Sequence, residues 1–168
     1  EERKEQKKYT RLADCFTPLA KGMNSEYANQ NSYDCIQVHG GSGFMLEYAC
    51  QRLYRDARIT SIYEGTTQLQ TVAAIRYVTN GTYMNVIREY EEIEVPEAYK
   101  SIKARIHAMA DACEAAVNKV KEAGNQDYHD LVARNLYEMT ADVVMSLLLL
   151  RDTVEAPELF EKSLKVYV

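Results

Sequence analysis

"LEYACQRLYRDARITSIYEGTTQLQ", residues 46–70, is the stretch on which the reading of this chain turns. Leu46, Cys50, Leu53, Tyr54 and Ala57 recur at i, i+4, i+7, i+8 and i+11, the spacing of one apolar stripe along a helix. The pattern breaks at "IYEGTT", where a single acid, Glu64, stands between Tyr63 and Gly65. Thr67 with Gln70 then resembles a capping box that opens another helix through Val78. A helical chain that stops to present one carboxylate needs a reason for doing so.

Outward from that stretch the helical pattern continues. "SEYANQNSYDCIQVHGG" fits a helix capped by Ser25, with Tyr27, Ala28, Cys35 and Ile36 on one face and Gly40 and Gly41 as its stop. The charged opening "EERKEQKKYTRLADCF" reads as the exposed end of a helix, and Pro18 in "TPLAK" suits either a helix restart or a kink. Residues 79–97 hold the breaker Asn80-Gly81 and the acidic "REYEEIEVPE", a connector with a helical turn or two inside it. Beyond it, Ile102, Ile106, Met109, Cys113, Ala116 and Val120 alternate steps of four and three. After the tight loop "EAGNQD", Val132, Leu136, Met139, Val143, Leu147 and Leu150 repeat the device, and Pro157 precedes a short last helix. The expected fold is all-α: a helical bundle over 1–78, a linker over 79–97, and a helical-hairpin or bundle extension over 98–168.

Composition bounds the function. With 168 residues the chain is long enough for one ordinary domain or two small helical ones. Hydrophobic residues at 46% and charged ones at 27% mark a chain that buries a core, while 7 Gly and 3 Pro argue against a loop-rich β fold. A formal charge of −5 offers nucleic acid no broad basic face, so no such partner is expected. The longest apolar run, "VVMSLLLL" at 143–150, is far short of the roughly 20 residues a bilayer requires, so no transmembrane segment is expected either. No secretory signal opens the chain and its first residue is Glu, which predicts a piece of a longer protein. Cys15, Cys35, Cys50 and Cys113 form no CxxC pair, and no histidine is set beside one at zinc-ligand spacing. Four free thiols in a reducing compartment and no metal site are therefore expected, although the count alone also permits disulfides.

Two motifs carry chemistry. In "QVHGGSGF", residues 37–44, three glycines in four positions either turn the backbone through positive φ or bring it close to a phosphate or ring. A helix stop followed by a tight turn explains one or two of them. The motif follows no strand, which excludes a Rossmann dinucleotide site. Glu64 is either an acid placed at a helix N-terminus or a general base. In the second case Ile59, Ile62 and Tyr63 form an apolar wall that desolvates it, and Gly65 leaves room for a substrate. Other chemistries lack support. A di-iron bundle needs Glu-x-x-His, but His39, His107 and His129 follow Ile36, Ala104 and Gln126 by three residues. The histidines make no nucleophile–base–acid set, and His107 and His129 read as surface residues.

Taken together, "IQVHGGSGFMLEYACQRLYRDARITSIYEGTTQLQ" at 36–70 resembles the C-terminal helical domain of the acyl-CoA dehydrogenases, and with "TPLAK" the likeness covers residues 7–78. Ala49 departs from it, since the family usually has proline after the Glu-Tyr pair. The resemblance implies α,β-dehydrogenation of an acyl-CoA to a trans-2-enoyl-CoA, with hydride passing from the β-carbon to FAD. It implies Glu64 as the base for the α-proton, the type found in short- and medium-chain branches, its backbone N–H also polarising the thioester carbonyl. Tyr63 and Gly65 would meet the substrate. Gln37, Val38, His39, Gly40 and Gly41 would meet the adenosine-diphosphate half of FAD across a subunit interface, and Thr66, Thr67 and Gln68 would hold FAD beside Glu64. The likeness further implies an electron-transfer flavoprotein as acceptor, a homodimer or homotetramer, and a cytoplasmic site in a bacterium or the mitochondrial matrix in a eukaryote. Residues 98–168 are similar in layout to the helical extension of longer members such as those acting on 3-methylmercaptopropionyl-CoA. Two other functions use the same residues: an acyl-CoA oxidase that passes electrons to oxygen, and a non-catalytic helical assembly module.

Overall fold

Residues 2–168 are described by the computed structural model, and all of their regular structure is helical. In chain order the helices are α1 (Glu2–His39), α2 (Gly41–Phe44), α3 (Ala49–Thr60), α4 (Thr67–Thr79), α5 (Thr82–Glu91), α6 (Lys100–Ala123), α7 (Gln126–Glu155) and α8 (Pro157–Tyr167). No strand occurs among the described residues, as the absence of any period-two pattern predicts. The chain divides after Ala74 into two compact units.

The first unit is built on α1, which corrects the cap expected at Ser25 and removes the helix restart at Pro18. α1 runs unbroken through both Pro18 and Ser25. Proline removes one ladder donor, yet Pro18 is buried, and the flanking Thr17 hydroxyl donates to the Ala13 carbonyl at 2.7 Å. Ser25 does not cap a helix. Its hydroxyl donates back to the Gly22 carbonyl at 2.9 Å, the local bond by which a serine is accommodated inside a helix. Cys15, Leu19 and Met23, at steps of four, form the buried stripe. α3 lies against α1, with Tyr33 and Tyr54 meeting edge to face at 6.2 Å. Of the stripe expected to bury α3, only Cys50 is inside; Leu46 is 83% exposed and Leu53 53%. Periodicity reports an amphipathic face without saying what covers it.

The second unit obeys its sequence more closely. Asn80 accepts from the Thr82 N–H at 3.0 Å and the Thr82 hydroxyl at 2.7 Å, and Gly81 takes φ +81°, so the Asn-Gly breaker starts α5. α5 fills the middle of the interval expected to be a connector, and buries Tyr83, Val86 and Ile87 against α6 and α7. α6 and α7 form the expected hairpin: Gly124 ends α6 at φ +59°, and the Asn125 side chain accepts from the Tyr128 N–H at 3.0 Å to cap α7. Ile106, Cys113, Val120, Leu136, Val143, Leu147 and Leu150 are buried along this seam. Ala110, Val117 and Tyr137 join them, while Met109 and Met139 remain half-buried. Pro157 begins α8 from inside its first turn, and α8 packs on α7 through Leu164.

Arg88 of α5 organises the surface of this unit. Its guanidinium donates to Glu91 at 2.8 Å, Asp111 at 2.6 Å and Glu114 at 2.7 Å, and exposed His107 lies 2.9 Å from Glu91. Hydrogen bonding from Arg88 holds the Asp111 carboxyl below its usual range. Because the folded value is depressed, this contribution to stability is present above the ordinary carboxylate range and is lost as pH falls through the folded value. Unfolding midpoints are therefore expected to fall on acidification, with a shallower acid slope in Arg88→Met. Equal slopes in the two proteins would show that Asp111 titrates alike folded and unfolded.

Candidate active site

The segment 61–66 between α3 and α4 is closed by its own backbone. The Ile62 and Tyr63 N–H groups both donate to the Ile59 carbonyl, at 2.9 and 3.1 Å, and the Thr67 N–H donates to the Ser61 carbonyl at 3.2 Å. Glu64 lies at the tip of this closed loop with φ +51°, and no other non-glycine among the described residues has positive φ. A glutamate gains nothing there sterically; such a conformation costs on the order of 1–2 kcal/mol and persists because the surroundings impose it. Gly65 follows at φ +92°, and a Cβ on it would stand 2.6 Å from the Gln70 side-chain nitrogen, which donates to the Gly65 carbonyl at 3.2 Å. The cap of α4 is Thr66, whose hydroxyl oxygen accepts from the Leu69 N–H at 3.3 Å, one residue before the expected Thr67.

Three side chains of α1 tie down the helices that flank this loop. Lys21 donates to the Thr60 carbonyl at the end of α3 and places its ammonium 5.3 Å from the centre of the Tyr63 ring. Glu26 accepts from the Thr67 hydroxyl at 2.6 Å, and Asn29 donates to the Ala57 carbonyl at 3.1 Å. Sequence reasoning missed all three. The available signal was slight: Lys21, Ser25 and Asn29 put polar groups at steps of four, but the expected helix began only at Ser25. Lys21, Asn24, Thr60, Tyr63 and Glu64 line an open cleft of about 410 Å³. A larger concavity of about 670 Å³ lies in the second unit beside Arg88, but the acids Glu91 and Asp111 there are already bonded to that guanidinium. The Glu64 cleft is the better candidate.

The expected site residues fall into distinct environments. Tyr63, Glu64, Thr66 and Gln68 are exposed together around the loop, whereas Thr67 is turned inward with its hydroxyl on Glu26. The apolar wall expected around Glu64 is not closed within this chain: Ile59, Ile62 and Tyr63 are each about half-exposed. Gln37, Val38, His39, Gly40 and Gly41 form a second exposed patch at the end of α1, with Val38 85% exposed. Two of the motif's glycines have local reasons. Gly40 turns the chain at φ +59°, and a Cβ on Gly43 would meet the Ile36 carbonyl oxygen at 2.7 Å. Gly41 has neither, for a Cβ there would meet nothing within 4 Å.

The same region brings two of the cysteines and a histidine together. Cys35 and His39 stand one turn apart on α1, and α3 brings Cys50 to them; the two sulfurs are 3.5 Å apart and His39 Nδ1 is 3.8 Å from the Cys35 sulfur. Their hydrogen bond, with burial adding to it, pushes the Cys35 thiol up. All four cysteines are free thiols, and burial pushes Cys113 up as well.

Comparison with known proteins agrees with this architecture. The family "Acyl-CoA dehydrogenase, C-terminal domain" matches residues 4–78, and "Acyl-CoA dehydrogenase C terminal" matches residues 79–168. The chain belongs to the acyl-CoA dehydrogenase family. It is 41% identical over 64 residues to an acyl-CoA dehydrogenase of Bacillus subtilis, an alignment covering 38% of this chain and 17% of the relative. To the mitochondrial long-chain specific acyl-CoA dehydrogenase of Sus scrofa it is 40% identical over 70 residues, 42% of this chain and 16% of the relative. Subunit CarC of the caffeyl-CoA reductase-Etf complex of Acetobacterium woodii is 46% identical over 52 residues, 31% of this chain and 14% of that protein. The matched part thus spans about one-sixth of the length of these curated relatives. No solved structure matches. Among the described residues no helix is long and apolar enough to cross a membrane.

Proposed function

We propose that this chain forms the C-terminal part of an FAD-dependent acyl-CoA dehydrogenase in which Glu64 is the base that removes the α-proton of the acyl thioester. The observation that carries the proposal is the left-handed backbone of Glu64 at the tip of a loop whose flanking helices are tied to α1 by Lys21, Glu26 and Asn29. A solvated helix-end acid has no need of such strain, whereas a base that must meet one carbon atom gains from a fixed position. Glu64 takes the α-proton onto its carboxylate, and its backbone N–H stabilises the enolate-like oxygen of the thioester. Tyr63 lines the acyl cavity and Gly65, with no side chain, leaves space for the thioester. FAD, when bound, supplies the two-electron acceptor for the β-hydride.

The residues present fit that cofactor. Gly41 presents bare backbone outward with no intramolecular reason to lack a side chain, so Gln37, Val38, His39, Gly40 and Gly41 would meet the adenosine-diphosphate half. Thr66 and Gln68 are exposed next to Glu64 and would hold FAD there, and Thr67 would contribute through its backbone, its hydroxyl being committed to Glu26. A homo-oligomer would supply the second face of the patch at 37–41. One relative's name includes Etf, which favours an electron-transfer flavoprotein as acceptor, and its description as a reductase suits the same residues run in reverse, with Glu64 returning a proton.

The experiment uses the full-length protein with FAD and acyl-CoA. Saturable binding of both and bleaching of the flavin under anaerobic conditions are expected; a protein that binds neither contradicts the proposal and leaves a helical assembly module, and peroxide formed under air would make it an oxidase. The 168-residue chain by itself should not dehydrogenate butyryl- or octanoyl-CoA with added FAD, because Glu64 and its apolar neighbours are open to water. Turnover by the isolated chain would show the site to be complete within it.

A further inference from the structure

The cluster of Cys35, His39 and Cys50 has no part in the proposed proton transfer, and only Cys50 of the three belongs to the core. The first two lie on the last turns of α1 and Cys50 on the first turn of α3, and their ligand atoms all lie within 4.8 Å of one another. We propose that these three residues form a binding site for a thiophilic divalent cation of the zinc type, clasping α1 to α3 and drawing on His39 of the exposed segment 37–41.

The geometry suits the ion. Tetrahedral zinc, at about 2.3 Å from sulfur and about 2.0 Å from nitrogen, places two sulfur ligands ~3.8 Å apart and a sulfur–nitrogen pair ~3.6 Å apart. The observed sulfur–sulfur separation is 3.5 Å, so the two thiols already span one edge of such a site. His39 is also within reach of it. Its Nδ1, which donates to the Cys35 carbonyl at 2.9 Å, lies 3.8 Å from the Cys35 sulfur and would exchange that bond for the ion. A modest rotation of the exposed ring completes the third corner. Cys50 is 6% exposed, Cys35 half-buried and His39 exposed, so the site opens to solvent on one side and retains a fourth position for water. Two thiolates and an imidazole favour zinc over the hard cations magnesium and calcium. On binding, each thiol gives up its proton to solvent and no oxidant is involved. A disulfide would use the same sulfurs, but it gives no role to the adjacent histidine. The proposal does not depend on FAD or acyl-CoA.

The test is a titration of the reduced 168-residue chain with Co²⁺ under anaerobic conditions, followed by displacement with Zn²⁺. A thiolate-to-cobalt charge-transfer band saturating at one equivalent is expected. Cys35→Ser and Cys50→Ser should each abolish it, and Cys15→Ser and Cys113→Ser should leave it unchanged. His39→Ala should weaken binding by at least the ~10-fold that loss of even an outer partner costs. Zn²⁺ should raise the unfolding temperature of the wild-type chain and not of Cys50→Ser, which also separates a lost site from a lost fold. The absence of a band, a band that survives Cys35→Ser, or an affinity unchanged in His39→Ala overturns the proposal. So does a reduced chain that ignores Co²⁺ while its oxidised form maps to a Cys35–Cys50 disulfide.

Discussion

Glu64→Gln in the full-length protein is expected to slow flavin bleaching by saturating acyl-CoA by ~10²–10⁴-fold, the usual worth of a positioned general base. Glutamine keeps the size of the side chain and its ability to accept a hydrogen bond at the amide oxygen, so FAD and ligand should still bind. It cannot take a proton at neutral pH. The loss should therefore appear in the rate of bleaching and not in ligand affinity, as for any group whose contribution is realised in the transition state. The loop should survive the change, because what holds it are the Ile59 and Ser61 carbonyls and the tethers from Lys21, Glu26 and Asn29, none of which involves the Glu64 side chain. Glu64→Asp should retain partial activity, since the carboxylate is kept but stands back from the α-carbon. Bleaching at the wild-type rate in Glu64→Gln would place the base on another element and return Glu64 to the role of a helix-end acid.

The second large effect is on stability. Ile106 has no exposed surface in the α6–α7 seam, and neither Ala110 nor Cys113 beside it on α6 carries a charge that could pair with an introduced acid. Ile106→Ala should cost ~2–5 kcal/mol through lost transfer energy and the cavity left behind. Ile106→Asp should cost at least as much, because an unpaired carboxylate would have to be buried or the helices parted. Met139→Asp is the internal comparison. Met139 belongs to the same heptad-like pattern but is half-buried, so its acid keeps access to water and should cost less than Ile106→Asp. Urea unfolding of the three variants, followed by far-ultraviolet circular dichroism, measures the order. If Met139→Asp proves the more damaging, the seam faces the other way.

The contrast between those two residues shows what the sequence could and could not yield. A three–four alternation defines a stripe about a third of a helix wide, so the α6–α7 hairpin and most of its core were legible. Where along the stripe burial is complete depends on rotation by a few tens of degrees, which spacing does not determine; hence Ile106 is sealed and Met139 is not. In the first unit, local rules misled. Ser25 is a favoured cap, but its hydroxyl bonded back to Gly22 and α1 continued, and Pro18 was tolerated inside the same helix. Leu46 and Leu53 carried an impeccable stripe with no cover in this unit, since amphipathicity identifies a face and not its partner.

At the site, the break at "IYEGTT" was legible because the helical periodicity stops there and a lone acid stands before glycine. Its restraint was not. Lys21, Glu26 and Asn29 lie 28 to 41 residues from the atoms they hold, and that pairing arises only from the packing of α1 on α3 and the start of α4. The gathering of Cys35, His39 and Cys50 was not legible for the same reason. Cys35 and His39 were visible one helical turn apart, but Cys50 joins them only when α3 folds back on α1.

Movement of the α-proton by Glu64 can be isolated in one measurement. An acyl-CoA with sulfur in place of its β-methylene has no β-hydride to give, so in the full-length protein in D₂O only proton exchange at the α-carbon can occur. Wild-type protein with FAD bound should incorporate deuterium at that carbon, read by mass spectrometry, and Glu64→Gln should slow the incorporation by the same ~10²–10⁴-fold as bleaching. Incorporation by Glu64→Gln at the wild-type rate would contradict the account.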